Sequence, residues 1–205
     1  LRQKVQQLLF CCLTNYFFNA MTTDTHNLIQ NYLNEINQLY ATDRTGEHSF
    51  RADLQKLLTA LIADTDIAII NEPNQIKYGK PDYMLIRDGV ELGFIETKDI
   101  GKNLASKEYT EQFERYKNGL GNLILTDYLY FELYQNGEKK ITVQIAQLKD
   151  KTIIPLEKSF IAFEELIKNF INYQWQSITT PQQLANRLAG KAKLFAHVIH
   201  EVLAV

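Results

Sequence analysis

The chain has 205 residues, 45% of them hydrophobic, and a formal net charge of −2. That length suits one domain with appendages, and the composition excludes a disordered chain. The near-neutral balance excludes a bulk pull on nucleic acid, so any such contact must come from a local patch.

The two cysteines, Cys11 and Cys12, are adjacent, which leaves no disulfide framework and no cysteine-based zinc site. Arg2-Gln3-Lys4 before Leu8-Leu9-Phe10-Cys11-Cys12-Leu13 loosely mimics a signal peptide. The apolar run is short, nothing downstream looks secreted, and Met21-Thr22-Thr23-Asp24 reads as a natural start. Residues 1–20 are expected to be upstream sequence, inside a tail spanning 1–24. No run is long enough to span a membrane, and a cytoplasmic protein is expected.

From Thr25 to Tyr40, Leu28, Tyr32, Leu33, Ile36, Leu39 and Tyr40 fall at helical spacing. A second helix is predicted from Glu47 to Ala63, with Phe50, Leu54, Leu57, Leu58 and Leu61 on one stripe. Glu47 projects from that same face. Asp66 to Ile70 reads as a short buried strand. Gly79 to Lys98 then reads as a hairpin, two apolar strands meeting at Asp88-Gly89. A helix from about Ser106 to Asn118 carries Tyr109, Phe113, Tyr116 and Leu120 on one side, with Gly119 and Gly121 ending it. Asn122 to Thr126, Tyr128 to Tyr134 and Lys140 to Leu148 are strands, the last two joined by Asn136-Gly137. Glu157 to Tyr173 is a helix, and Thr180-Pro181 starts another that runs to the end of the chain. A longer parent polypeptide is expected from that open end. The element order predicts an α/β domain, a mixed sheet with helices packed on it.

The hairpin carries charges that a hairpin does not need. Asp82 opens its first strand, and Glu96-Thr97-Lys98 closes its second. Burying such groups costs several kcal/mol each unless they are paired or bind a metal. Their convergence depends on the turn. A two-residue Asp88-Gly89 loop pairs Arg87 with Val90 and puts Asp82 and Glu96 on opposite faces. A three-residue Arg87-Asp88-Gly89 loop pairs Ile86 with Val90 and puts Asp82, Glu96 and Lys98 together. The three-residue loop, with Gly89 at positive φ, is the expectation. Two converging carboxylates make a hard-oxygen site suited to Mg²⁺.

Pro81-Asp82 followed by Glu96-Thr97-Lys98 resembles the PD-(D/E)xK nuclease superfamily. Gln112-Phe113-Glu114-Arg115-Tyr116 is similar to the Gln-x-x-x-Tyr pattern of its RecB-like branch. The ordered set Glu47-His48-Ser49-Phe50-Arg51, Asn71-Glu72-Pro73, Gly79-Lys80-Pro81-Asp82, Ile95-Glu96-Thr97-Lys98-Asp99-Ile100-Gly101, Arg115-Tyr116 and Asn122-Leu123-Ile124-Leu125-Thr126-Asp127-Tyr128 resembles the N-terminal nuclease domain of type IIG and type I single-polypeptide (ISP) restriction–modification enzymes. The resemblance implies a restriction-endonuclease-like mixed β-sheet flanked by helices, with an N-terminal helix and a C-terminal helical extension. It implies a nuclease domain over residues 25–155 and a connector over 156–205 toward a methyltransferase that this sequence does not contain.

The same resemblance implies roles. Asp82, Glu96, the Thr97 carbonyl and Glu47 would be metal ligands for Mg²⁺, with Mn²⁺ able to substitute. Lys98 would position the attacking water, and Gln112 would orient the site. By the same resemblance Tyr116 would sit beside the nucleic acid. Apart from the resemblance, Lys80, Arg51, Lys102 and Arg115 stand among basic residues around the acidic centre and are expected to track phosphates, the alternative being plain solvated charge. The implied partners are double-stranded DNA, methyltransferase and target-recognition domains in one polypeptide, and a transient second copy for double-strand cleavage. The implied function is a Mg²⁺-dependent endodeoxyribonuclease. The alternatives are a silent nuclease-fold DNA-binding or scaffold module, and another metal-dependent nuclease that resolves junctions or cleaves RNA.

Overall fold

A computed structural model describes residues 24–46 and 48–174, with isolated helical positions between 185 and 200. Residues 24–40 form helix α1. Ile29, Tyr32, Leu33 and Ile36 recur at one-turn spacing and are its buried face. Helix α2 (Arg51–Ile62) is shorter than the predicted helix, because residues 48–50 form a turn before it. Its end is set by Ala63 in the left-handed region (φ 49°).

The central sheet has six strands in sequential order: β1 (Ile67–Asn71), β2 (Tyr83–Arg87), β3 (Val90–Thr97), β4 (Asn122–Thr126), β5 (Tyr130–Gln135) and β6 (Glu138–Gln144). Only β3 and β4 run parallel, joined by a crossover through helix α3 (Thr110–Gly119). The sheet is therefore mixed, as predicted. β1 is an edge strand in which only Ile67 is buried, so the Asp66 to Ile70 run is not the buried strand its composition suggested. The strand predicted from Lys140 to Leu148 divides at Ile145. Its second half, β7 (Ala146–Lys149), pairs with β8 (Thr152–Pro155) in a separate ribbon. Helix α4 (Phe160–Asn172) follows. Most of the helix expected from Thr180 lies outside the described residues. Its described apolar positions Leu188 and Ile199 are more than half exposed.

Alternation in the strands sorts side chains into two cores. Tyr83, Leu85, Ile95, Ile124, Phe131 and Leu133 face α1, α2 and α4. Phe94, Leu123, Leu125 and Tyr134 face α3, with Phe113, Tyr116 and Leu120 above them. α4 belongs to the first core through Phe160, Phe163, Leu166, Ile167 and Phe170. Gly93 allows this docking, because a Cβ there would lie 2.5 Å from the Phe170 ring. At Gly119 a Cβ would lie 2.1 Å from the Tyr78 ring, so this glycine seats the loop 72–82 on α3.

The β2–β3 hairpin differs from expectation in an informative way. The loop is the two-residue Asp88-Gly89, with Arg87 paired to Val90 and positive φ at both central residues (52° and 73°). The expected three-residue loop is absent, although Gly89 does take positive φ. The register is shifted instead by a β-bulge: Ile86 pairs with Glu91 but Leu85 with Gly93, so Leu92 is the extra residue. The Leu92 carbonyl accepts from Asn122 Nδ2 (2.7 Å), which also donates to the Phe170 carbonyl (2.8 Å). Past the bulge Met84 pairs with Phe94 and Tyr83 with Ile95, which brings Asp82 opposite Glu96.

Candidate active site

The mouth of the β2–β3 hairpin collects buried charge. Asp82, Glu96, Thr97 and Lys98 are each under 10% exposed. Lys98 leaves the sheet just after β3, anchored by its amide on the Thr126 carbonyl (2.8 Å). Its ammonium donates to Glu96 Oε1 (2.8 Å) and Gln112 Oε1 (3.1 Å). It also lies over the rings of Tyr109 (5.0 Å) and Phe113 (5.7 Å). Gln112 Nε2 donates to the same Glu96 oxygen (2.7 Å), closing a triangle of lysine, glutamate and amide. Helical spacing puts Gln112 one turn before Tyr116, whose hydroxyl it approaches at 3.5 Å.

Glu96 is the unusual member. Oε1 accepts two hydrogen bonds, while Oε2 is buried with no hydrogen-bond partner. Burial raises its pKa to about 7; the charge of Asp82 adds to the rise, and Lys98 and Gln112 oppose it. An orphaned carboxylate oxygen within the field of a second carboxylate is a donor set that suits a hard cation. Among the described residues no group of three or more His, Cys, Asp and Glu surrounds such a point. The oxygens on offer are thus those of Asp82, Glu96 and the main chain.

Asp82 is held on both oxygens. Oδ2 accepts from the Thr97 amide (2.7 Å) and the Thr97 hydroxyl (2.6 Å), and Tyr128 donates to that hydroxyl (3.2 Å). Oδ1 accepts from Arg51 Nη2, and Arg51 Nη1 donates to Glu72 Oε1 (2.9 Å). The Tyr83 hydroxyl fixes the Arg51 carbonyl (2.7 Å), and the Glu72 amide donates to the Asp82 carbonyl (2.8 Å).

The predicted residues thus separate. Asp82, Glu96, Thr97, Lys98 and Gln112 are brought together. Glu47 lies outside the described residues. Lys80 and Lys102 are exposed, and Lys80 lies 3.6 Å from Glu72. Arg115 is exposed but donates to the Tyr78 carbonyl (2.7 Å), pinning the loop 72–82. Arg51 and Tyr116 do not face outward. Arg51 is 6% exposed because it pairs with Asp82, and Tyr116 is 1% exposed because its ring packs against Gly79. Neither presents itself to a duplex. Residues without a predicted role also enter: Glu72, Tyr83 and Tyr128. For Arg51 the signal was present, since it sits three and seven residues before Leu54 and Leu58 on the apolar stripe.

The six-stranded mixed sheet, with a crossover helix on one face and helices on the other, is a restriction-endonuclease-like fold. No protein-family model matches the chain, and no curated protein matches it. Among solved structures the chain is similar to the cryo-electron-microscopy structure of the DrdV–DNA complex, with a TM-score of 0.57 and 22% identity. The match covers 73% of this chain and 14% of that one. At that identity the likeness is one of fold.

Proposed function

We propose that the chain is a Mg²⁺-dependent endodeoxyribonuclease domain of a restriction–modification enzyme, hydrolysing DNA phosphodiester bonds. The observation that carries the proposal is Glu96 Oε2, a buried and unpartnered oxygen beside Asp82 and two residues before Lys98. Asp82, Glu96, the Thr97 carbonyl and Glu47 would hold the cation. Bound there, Mg²⁺ (or Mn²⁺) would lower the pKa of water and stabilise the leaving oxygen. The Lys98 ammonium positions the attacking water and offsets charge on the phosphate. Gln112 holds Lys98 and Glu96 in mutual register through its two amide contacts. The products are 5′-phosphate and 3′-hydroxyl ends.

Double-stranded DNA is the proposed substrate, supported by the DNA complex in which the similar fold was solved. Lys80, Lys102 and Arg115 supply phosphate contacts at the rim, which position the duplex without reading sequence. The DrdV chain extends far beyond the matched part. Methyltransferase and target-recognition domains in the same polypeptide fit that proportion, as does a transient second copy for cutting both strands. Plasmid nicking under Mg²⁺ tests the reading: the Lys98→Ala variant should leave the plasmid intact while keeping the wild-type circular dichroism. Normal cleavage by that variant would refute it.

One observation favours a second reading, a silent DNA-binding module. Both oxygens of Asp82 are engaged by protein donors, Arg51 and Thr97. Isothermal titration with Mg²⁺ separates the two, since a silent module takes up none.

A further inference from the structure

The Arg51 side chain is 7% exposed and wedged between two carboxylates, Asp82 on the buried side and Glu72 on the open side. Glu72 is 54% exposed, at positive φ (50°), and faces Lys80 on its other oxygen. The guanidinium fork matches this task, because it can satisfy two acids at once and cannot lose its charge. The Arg51 main chain is fixed by Tyr83, so movement here means movement of the side chain alone. Asp82 Oδ2 is already committed to two Thr97 donors, and Oδ1 is the oxygen that Arg51 takes.

A divalent cation at Asp82 and Glu96 would therefore meet a guanidinium on the Asp82 oxygen it needs, and like charges in a buried site repel strongly. We propose that metal entry is an exchange of cations: Arg51 holds Asp82 before metal binds, then gives up Oδ1 and is retained by Glu72. Arg51 and Glu72 are thus positioning residues that set metal affinity without ligating metal. The inference rests on the metal-dependent reading given above. It also accounts for the satisfied state of Asp82, which otherwise argues against a metal site. Only those molecules in which Arg51 has left Oδ1 are competent to bind, so Arg51 weakens the apparent affinity by that fraction.

The test is isothermal titration of the full chain with Mn²⁺, without DNA. Arg51→Met should tighten binding by about tenfold if roughly a tenth of wild-type molecules are competent. Glu72→Gln should weaken it by about threefold, because the displaced guanidinium loses its acceptor. In the double variant, Glu72→Gln should have no further effect. Unchanged or weaker binding in Arg51→Met overturns the exchange, and so does a Glu72→Gln loss that persists in the double variant, which would make Glu72 a ligand. If Arg51→Met does not fold, Arg51→Lys takes its place in the single and the double variant: a single ammonium cannot bridge Asp82 and Glu72 as the guanidinium fork does, so binding should tighten and the Glu72→Gln loss should vanish, and unchanged binding sinks the exchange. Wild-type protein that binds no Mn²⁺ overturns the metal-dependent reading itself. Metal uptake that ignores Arg51 overturns only the exchange.

Discussion

Two glutamates face α3 from the same side of the sheet, and they could hardly differ more in state. Glu96 on β3 pairs with Leu125, and Leu125 pairs with Glu132 on β5, so the acids lie in one row two strands apart. Both are buried, at 3% and 7% exposure, and each has a lysine at hand. Glu132 accepts from Tyr130 (3.0 Å), Tyr134 (2.7 Å) and Lys139 (2.5 Å), and both its oxygens are used. Burial pushes its pKa up, but those three donors outweigh burial and bring it below the usual value. Glu96 has two donors on one oxygen, none on the other, and Asp82 nearby. Burial does not make a site. An acid becomes chemically available when burial is left partly uncompensated.

The largest expected effect breaks the pair apart by activity. Glu96→Gln and Lys98→Ala should each lower Mg²⁺-dependent plasmid nicking by at least about a hundredfold, whereas Glu132→Ala should leave the rate within a factor of about three. Equal losses at Glu96 and Glu132 in a nicking assay would erase the distinction.

Acidity gives the next contrast. In the folded chain Glu96 keeps its proton to about pH 7, against an ordinary value of 4.5. A raised carboxyl pKa favours the folded state at low pH. That contribution is complete below about 4.5 and is lost as pH rises to about 7, for a total of about 3 kcal/mol. Urea unfolding of wild type and Glu96→Gln across that window should show the difference, with the variant lacking this slope. Parallel curves would mean that Glu96 titrates normally.

Stability then reads the pair in reverse. Glu132→Ala strands two tyrosine hydroxyls and should cost about 2–3 kcal/mol in urea unfolding. At neutral pH Glu96→Gln should not destabilise the fold, since it removes a charge that burial already opposes. The smallest effect lies at the rim. Lys102→Ala should weaken DNA binding by about threefold and lower the salt slope by about 1 in a fluorescence-anisotropy titration. Loss of all binding would place Lys102 inside the site.

Much of this arrangement is legible in the sequence because it is local. Helical spacing in residues 24–40 and alternation in β2 to β5 need only neighbours along the chain. Parity makes the meeting of Asp82, Glu96 and Lys98 depend on a one-residue register shift, expected in the loop and found instead in a bulge. A bulge at Leu92 is invisible in composition, since Leu92 looks like any strand residue. It is secured by Asn122, thirty positions away. Arg51 was misread because basic side chains are usually solvated, and its buried partner Asp82 lies thirty-one residues on. The resemblance places Tyr116 beside nucleic acid, whereas the helix stripe already puts it in the core, where the structure has it. β1 was read as buried because apolar runs do not announce which strand will stand at an edge.

The bulge at Leu92 has a consequence for how this hairpin can change. Strand faces repeat every two residues, so the site obeys an odd–even rule. Straightening the bulge with Leu92 kept would pair Leu85 with Leu92 and turn the segment after it half over, sending Glu96 toward the first core and Thr97 toward the Gln112 side. Drawing Arg87 into the turn, so that Ile86 pairs with Val90, would have the same effect unless the bulge were lost with it. Two such one-residue register shifts cancel, and either alone parts Asp82 from Glu96. Deleting Leu92 itself is the harmless change, because it leaves Leu85 on Gly93 and Asp82 opposite Glu96, so a relative one residue shorter here should lack the bulge and keep the site.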